Sequence, residues 1–290
     1  MPDTKEILKR VKRLELYSKH LVVGLVAGAY HSVFKGRGVE FDEVREYIPG
    51  DDIRTIDWNV TARMNCPFVK RFIEERDLIV HIAIDFSASS EFGSIKQKKD
   101  FAIEVAVSIM LAALRNNDNC SLLIFTDKVE KYLQPKKGRR HILKLIREMI
   151  CFSPKGSRTD INSAVTFLNS VARRRGIVFI ISDFISELNY LKALKILKTR
   201  HDIVLIGIND VREEDIPDIG YVMLEDAETE ENALVNTSDP VFRQRYRDLV
   251  DQHILSFKTA MIKLGIDFIQ LKPTEDFAFS LYRFFKRRVK

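Results

Sequence analysis

The chain has 290 residues, of which 46% are hydrophobic and 30% are charged, and its formal net charge is +6. This composition is enough for a packed core, and no run approaches the roughly 18 uninterrupted apolar residues of a membrane span, so we expect a globular, cytoplasmic protein. The positive residues are dispersed in short runs without interleaved aromatic residues, which makes nucleic-acid binding the weaker alternative.

Residues 1–76 predict a separate N-terminal arm, because no helical or strand period is sustained there. Closely spaced opposite charges mark the stretch GRGVEFDEVREYIPGDDIRTIDWNVTAR at 36–63. Two interpretations of this stretch stay open. Its salt-bridged loops could pack the arm on the rest of the chain around Trp58, or they could form a face that docks a partner.

Residues 77–290 alternate apolar, β-branched runs with amphipathic helical periods. The predicted strands lie at 78–84, 121–126, 129–133, 177–182, 202–208 and 267–271. The predicted helices lie at 96–116, 139–150, 161–175, 188–199, 240–264 and within 266–288. Near-continuous apolar strands separated by such helices are typical of an α/β fold with a doubly wound, mostly parallel sheet.

Two details refine this prediction. Asp127 and Lys128 form a link too short for a parallel crossover, so the third strand should pair antiparallel with the second, at an edge. Numbered along the chain, the six strands should then lie in the order 3-2-1-4-5-6. The acidic, turn-rich residues 210–239 interrupt the alternation and are interpreted as an insertion.

Polar side chains follow the first and fourth predicted strands and precede the helix at 161–175. They belong to three loops, DFSAS at 85–89, GSRTD at 156–160 and SDF at 182–184. In an open parallel sheet the cleft lies at the carboxyl ends of the strands, where the winding reverses. We therefore expect the three loops to meet there.

These loops offer carboxylates and hydroxyls, with no imidazole or thiolate beside them in sequence. Such hard oxygen donors suit Mg²⁺, Mn²⁺ or Ca²⁺ better than zinc or copper. In D-x-S-x-S, alternate residues of an extended turn can face the same way, toward one ion. Each residue alone would fit a turn or a helix cap, but the conjunction of the three loops predicts a metal site.

The arrangement resembles the metal-ion-dependent adhesion site of von Willebrand factor A-like domains. The chain as a whole resembles the family called domain of unknown function 58, whose signature is similar to residues 36–63 followed by EERDLIVHIAIDFSAS. The resemblance implies a von Willebrand factor A-like fold and five metal-coordinating residues: Asp85, Ser87, Ser89, Thr159 and Asp183. The neighbouring Asp160 leaves open which side chain of that loop reaches the ion.

The first functional hypothesis is a binding module. A divalent ion held largely by hydroxyls stays electrophilic, so an acidic residue of a partner protein could complete its coordination. The resemblance implies the partner, because these proteins are similar to adaptors of MoxR-type AAA+ ATPases in the assembly or maturation of other proteins. We therefore expect a metal-dependent protein-binding adaptor and not an enzyme.

The alternative is a Mg²⁺-dependent phosphohydrolase with Asp85 as the nucleophile. Such enzymes need a second acid two residues later, and Ser87 occupies that position. The sequence contains neither a G-x-x-x-x-G-K-[ST] phosphate loop nor a G-x-S-x-G elbow. His81, within the first strand, is expected to be a core or face residue.

Overall fold

The computed structural model describes residues 40–64, 66–73, 78–94, 96–229 and 231–288. The described residues form two compact units, one within Phe34–Leu78 and the other from Ile79 onward. Residues 1–39 of the predicted arm lie outside the described residues.

The smaller unit is an antiparallel pair of strands with a short helix between them. The strands are β1 (Glu40–Glu46) and β2 (Phe68–Ile73), and the helix is α1 (Trp58–Met64). Arg45 donates two hydrogen bonds to the carboxylate of Asp51, at 2.7 and 2.8 Å. This ion pair braces the turn after β1.

Other charges of the 36–63 stretch also have local structural roles. Asp57 accepts a hydrogen bond of 3.0 Å from the backbone N–H of Asn59 at the start of α1, and it lies 3.3 Å from the ammonium of Lys70. Trp58, however, is 68% exposed. Both interpretations of this stretch, packing of the arm and docking of a partner, stay predictions.

The larger unit contains eight strands and seven helices among the described residues. Its strands are β3 (Ile79–Asp85), β4 (Asn119–Phe125), β5 (Val129–Lys136), β6 (Ile177–Ser182), β7 (Asp202–Ile208), β8 (Tyr221–Glu225), β9 (Asn232–Asn236) and β10 (Asp267–Leu271). Its helices are α2 (Lys98–Arg115), α3 (Arg139–Cys151), α4 (Ile161–Val171), α5 (Leu191–Lys198), α6 (Val211–Glu214), α7 (Pro240–Leu264) and α8 (Phe277–Arg288).

Six of these strands form one sheet in the order β5-β4-β3-β6-β7-β10. All neighbours are parallel except β5, which runs antiparallel to β4. The predicted fold class and strand order are therefore confirmed. The winding reverses between β3 and β6, where Ile84 is the register partner of Ile181, so the carboxyl ends of these two strands lie side by side.

Helices cover both faces of the sheet, which is why its central strands are apolar on both sides. On one face, Val178 of β6 belongs to a buried cluster with residues of α4, α5 and α7. On the other face, Phe179 of β6 meets Phe285 of α8, with ring centroids 6.3 Å apart. The predicted insertion at 210–239 forms α6 and the hairpin of β8 and β9.

In the described parts of the chain, no helix combines the length and apolar character needed to cross a membrane.

His81 lies in the middle of β3 and is only 2% exposed, as expected for a core residue of this strand. Its Nδ1 atom lies 2.7 Å from the hydroxyl of Ser121, and its ring meets the ring of His201 edge-on at 5.7 Å. Burial, and secondly the positive charge of His201, lower the pKa of His81 to about 4.

We expect the substitution His81→Gln to reduce the acid sensitivity of the fold. Between pH 6.5, the ordinary pKa, and pH 4, the approximate pKa in the folded protein, His81 is protonated in the unfolded chain but neutral in the folded one. The contribution of neutral His81 to the free energy of unfolding is therefore complete above pH 6.5 and is lost as the pH falls. We expect the free energy of unfolding, measured with urea, to fall by about 2 kcal/mol less in the variant than in the wild type when the pH is lowered from 7 to 5. Equal losses would contradict this account.

Candidate metal centre

Asp85 is the last residue of β3 and is 4% exposed. One carboxylate oxygen accepts a hydrogen bond from the backbone N–H of Ser87 at 2.9 Å, and the other accepts one from the hydroxyl of Ser182 at 2.7 Å. Because Ser182 ends β6, the second bond ties the two strands together where the winding reverses. Both bonds come from neutral donors, so neither cancels the charge of the carboxylate.

The two serines of the D-x-S-x-S stretch lie together directly after β3. The hydroxyl oxygens of Ser87 and Ser89 are 3.0 Å apart, and a short 3₁₀ helix, Ala88–Glu91, continues from them. The hydroxyl of Ser90 donates to the carbonyl of Ser87 at 2.7 Å and holds the turn. Neighbouring oxygens around an octahedral Mg²⁺ lie about 2.9 Å apart, from its metal–oxygen distance of about 2.0–2.1 Å. The serine spacing fits such an ion.

Asp183 follows β6 directly and approaches Asp85 closely enough to influence its charge. Burial, and secondly the negative charge of Asp183, raise the pKa of Asp85 to about 7. A bound cation beside Asp85 would relieve this unfavourable effect on its ionised form. The next residue, Phe184, has a left-handed backbone with φ of 56°, which is uncommon for a bulky residue and turns the chain sharply after Asp183.

A small cavity of about 20 Å³ lies between these groups. Asp85, Ser89 and Asp183 all line it. Its volume corresponds to about one water molecule. No group of three His, Cys, Asp or Glu side chains suited to a metal occurs in the portion of the chain that the structure describes. Two carboxylates and the hydroxyl of Ser89 are hard oxygen donors of the kind that suits a small, hard cation better than zinc. Lys98 lines the same cavity, and Ser87 does not.

The loop that carries Thr159 lies next to the D-x-S-x-S turn. The backbone N–H of Ala88 donates to the carbonyl of Ser157 at 2.8 Å and joins the two loops. Gly156 lets this loop approach the end of β4, since a Cβ atom there would come within 2.0 Å of the Asp127 carboxylate. Thr159 does not line the 20 Å³ cavity.

Asp160 has a separate role. Its side chain accepts a hydrogen bond from the backbone N–H of Ser163 at 3.2 Å and caps α4. The alternative that Asp160 reaches the ion in place of Thr159 would require the loss of this cap.

Thr159 is hydrogen-bonded to Glu228 of the same chain. The backbone N–H of Thr159 donates to one carboxylate oxygen of Glu228 at 3.1 Å, and its hydroxyl donates to the other at 2.6 Å. Glu228 lies in the turn between β8 and β9, where Asp226 accepts a hydrogen bond of 2.8 Å from its backbone N–H. Sequence reasoning identified the acidic insertion but missed this contact, because nothing local to the insertion indicates where its turn folds.

Lys98, at the start of α2, is a second residue that sequence reasoning missed. It is 2% exposed, and its ammonium donates to Asp183 at 2.8 Å and to Glu213 at 2.6 Å. Burial alone would lower the pKa of Lys98, but the attraction of the two carboxylates outweighs it, and the pKa lies above its usual value. In the sequence, the run KQKK at 96–99 is typical of an exposed basic surface.

Glu213 reaches Lys98 because α6 fixes it. Asp210 caps this short helix by accepting from the N–H of Arg212 at 2.9 Å, and Glu213 in turn accepts from the N–H of Asp210 at 2.9 Å. This reciprocal capping box holds the Glu213 carboxylate at the carboxyl end of β7.

The model of one protein family, described as "Protein of unknown function DUF58", matches residues 43–255. An uncharacterized protein of Mycobacterium tuberculosis is 30% identical over 99% of this chain and 91% of its own length. The crystal structure of the conserved hypothetical protein BatB from Bacteroides thetaiotaomicron aligns with a TM-score of 0.46 and 11% identity, over 73% of this chain and 98% of that one. The SpRpn10 VWA domain aligns with a TM-score of 0.40 and 15% identity, over 71% of this chain and 94% of its own.

We expect Lys98→Met to lower the free energy of unfolding by about 3 kcal/mol, because it removes a buried ammonium and leaves two partly buried carboxylates without their cation. The matched control is Lys99→Met, next along the helix. The Lys99 ammonium lies 3.7 Å from Glu91, whose side chain is 63% exposed, and 4.8 Å from the centroid of the Phe86 ring, so this substitution should cost only about 1 kcal/mol. Urea denaturation of both variants measures the difference, and equal costs would exclude a structural role for the Lys98 ammonium.

Proposed function

This chain belongs to the DUF58 family of proteins of unknown function, and on that premise we propose that it is a divalent-metal-dependent adaptor that binds other proteins. The proposed ligands of the ion are Asp85, Ser87, Ser89, Thr159 and Asp183. Mg²⁺ is the proposed ion, with Mn²⁺ and Ca²⁺ as the other hard cations that suit these oxygens.

The observation that carries this proposal is the pair of hydrogen bonds from Thr159 to the carboxylate of Glu228. They mean that the Thr159 loop is already arranged to receive a carboxylate. A hydroxyl has one proton to donate and two lone pairs, so Thr159 can bind a carboxylate and still offer an oxygen to a cation. An acidic side chain of a partner could therefore take the position of Glu228.

The bound ion would supply positive charge between Asp85 and Asp183 and a coordination position for the incoming carboxylate. The chain's own residues prepare this position. Ser182 and the backbone of Ser87 orient Asp85, and Lys98 orients Asp183. Because these groups are fixed before a partner arrives, binding requires little reordering of the site.

The proposed partner is a MoxR-type AAA+ ATPase, and the proposed role is the assembly or maturation of other proteins. Both rest on the family resemblance alone. We propose no catalytic activity, since the position two residues after Asp85 holds Ser87 and not an acid. The cytoplasmic location stays a prediction.

The ion is tested by isothermal titration of the purified protein with MgCl₂ and MnCl₂. We expect binding of one ion, weakened at least about tenfold by Ser87→Ala or Ser89→Ala, since each removes one oxygen ligand. The control Ser170→Ala makes the same chemical change on the exposed side of α4, where the hydroxyl contacts only the carbonyl of Phe167, and should bind as the wild type does. If neither ion binds the wild type, the metal-dependent function is wrong.

The partner is tested by capture of a purified MoxR-type ATPase on the immobilised protein. Capture should require Mg²⁺, disappear in chelator and in Asp85→Ala, and strengthen in Glu228→Gln. The last variant weakens the internal carboxylate contact, and a loss of about 1 kcal/mol there would raise partner affinity about fivefold. Glu187→Gln, which makes the same chemical change at another exposed position, is the matched control.

Three results would count against the adaptor. Equal capture in chelator and in Mg²⁺ would remove the role of the ion. Mg²⁺-dependent phosphate release that is lost in Asp85→Ala would favour the phosphohydrolase. RNA that co-purifies with the protein in a salt-dependent manner would favour the nucleic-acid alternative.

A further inference from the structure

A groove of about 750 Å³ lies beside the candidate metal centre. Its walls are one face of α7, the β8–β9 hairpin, residues just beyond the carboxyl ends of β6 and β7, and two residues of β10. On α7 the lining runs from Tyr246 through His253 to Phe257, with spacings of seven and four residues that keep to one side of a helix. At a rise of about 1.5 Å per residue, this wall is about 16 Å long.

Aromatic packing fixes the floor of the groove. The ring of Phe257 lies 5.2 Å from that of Phe184 and 4.7 Å from that of Phe268, between centroids. Two hydrogen bonds fix α7 to α6 and to the loop after β6. Tyr246 donates its hydroxyl proton to the carbonyl of Glu213 at 2.7 Å, and Nε2 of His253 lies 2.8 Å from the carbonyl of Phe184. The groove is therefore preformed.

The charges that line the groove have one sign. Five carboxylates line it: Asp183, Glu213, Glu225, Asp226 and Glu231. Among the described residues, no lysine or arginine does. The ammonium of Lys98, which does not line the groove, forms ion pairs with Asp183 and Glu213. The three on the hairpin are exposed, so they present negative charge along one rim.

The other surfaces of the groove are apolar and partly open to solvent. Leu249 of α7 is 66% exposed and Leu224 of the hairpin is 37% exposed, on opposite walls. Ala233, paired with Leu224 across the hairpin, leaves space on that wall. An apolar channel of three helical turns with an acidic rim is complementary to a helix that has an apolar face flanked by basic residues.

We propose that this groove binds an amphipathic helix of a partner protein, with leucine-like side chains on the aromatic floor and lysine or arginine side chains against the hairpin carboxylates. The hairpin carboxylates lie along one rim and the opposite wall of α7 extends over three turns, which suits a helix better than a compact small molecule. This surface goes beyond the proposed function, because it requires neither a bound ion nor an acidic residue of the partner.

The test uses the full-length protein and two fluorescein-labelled 14-residue helical peptides, one of leucine and lysine and one of leucine and glutamate. Fluorescence anisotropy should show the basic peptide binding at least about tenfold more tightly than the acidic one. The double substitution Glu225→Gln with Glu231→Gln should weaken the basic peptide about fivefold. The control, Asp248→Asn with Asp251→Asn, makes the same change in charge at α7 positions that do not line the groove and should have no effect.

The substitution Ala233→Trp fills the groove from an exposed hairpin position and should abolish binding of the basic peptide while leaving the thermal melting curve unchanged. The proposal is overturned if neither peptide binds the wild type, or if the groove variants and the control bind alike. It is also overturned if only the apolar dye anilinonaphthalene sulfonate enters the groove, which would make it a small-molecule site. Binding of the basic peptide should be the same in chelator and in Mg²⁺, so its outcome is independent of the metal-dependent function.

Discussion

The carboxyl edge of the sheet depends on one buried ion pair network, in which the ammonium of Lys98 holds Asp183 and Glu213. A buried charge is stable only when partners compensate it, so the three side chains fix one another. They belong to α2, to the end of β6 and to α6, which are far apart in sequence. The network thus sets the position of the first residue after β6, and with it one wall of the candidate metal centre.

The two carboxylates at this edge have opposite electrostatic surroundings. Asp183 has a cation supplied by the fold itself. Asp85 receives hydrogen bonds from neutral donors, the backbone N–H of Ser87 and the hydroxyl of Ser182, while burial and secondly the charge of Asp183 raise its pKa to about 7. The negative charge of Asp183 is therefore paired with a cation, whereas that of Asp85 is not neutralised by its hydrogen bonds. This asymmetry is the physical basis for proposing an added cation beside Asp85.

The architecture was predictable from the sequence because its determinants are local. Apolar runs mark the strands, and the two-residue link at Asp127 and Lys128 fixes the antiparallel edge, which together predict the strand order. The positions of Asp85 and Asp183 follow from that order, since both lie at carboxyl ends of strands adjacent to the reversal.

The contacts of Lys98 and Glu228 were not predictable in the same way. Lys98 meets Asp183 across 85 residues, and Glu228 meets Thr159 across 69. Hydrophobic periodicity specifies which face of a helix or strand is buried, but it does not specify which polar side chain will lie opposite another after folding. A basic run and an acidic hairpin both have the composition of ordinary solvated surface, and only the assembled fold distinguishes them.

Phe184, whose backbone is left-handed, connects the candidate metal centre with the groove. Its backbone follows Asp183 directly, and its ring packs with Phe257 and Phe268. One peptide bond thus separates a carboxylate beside the cavity from an aromatic ring in the floor of the groove. The direction in which the Asp183 carboxylate points is therefore fixed twice, by its ion pair with Lys98 and by the aromatic packing of the residue that follows it.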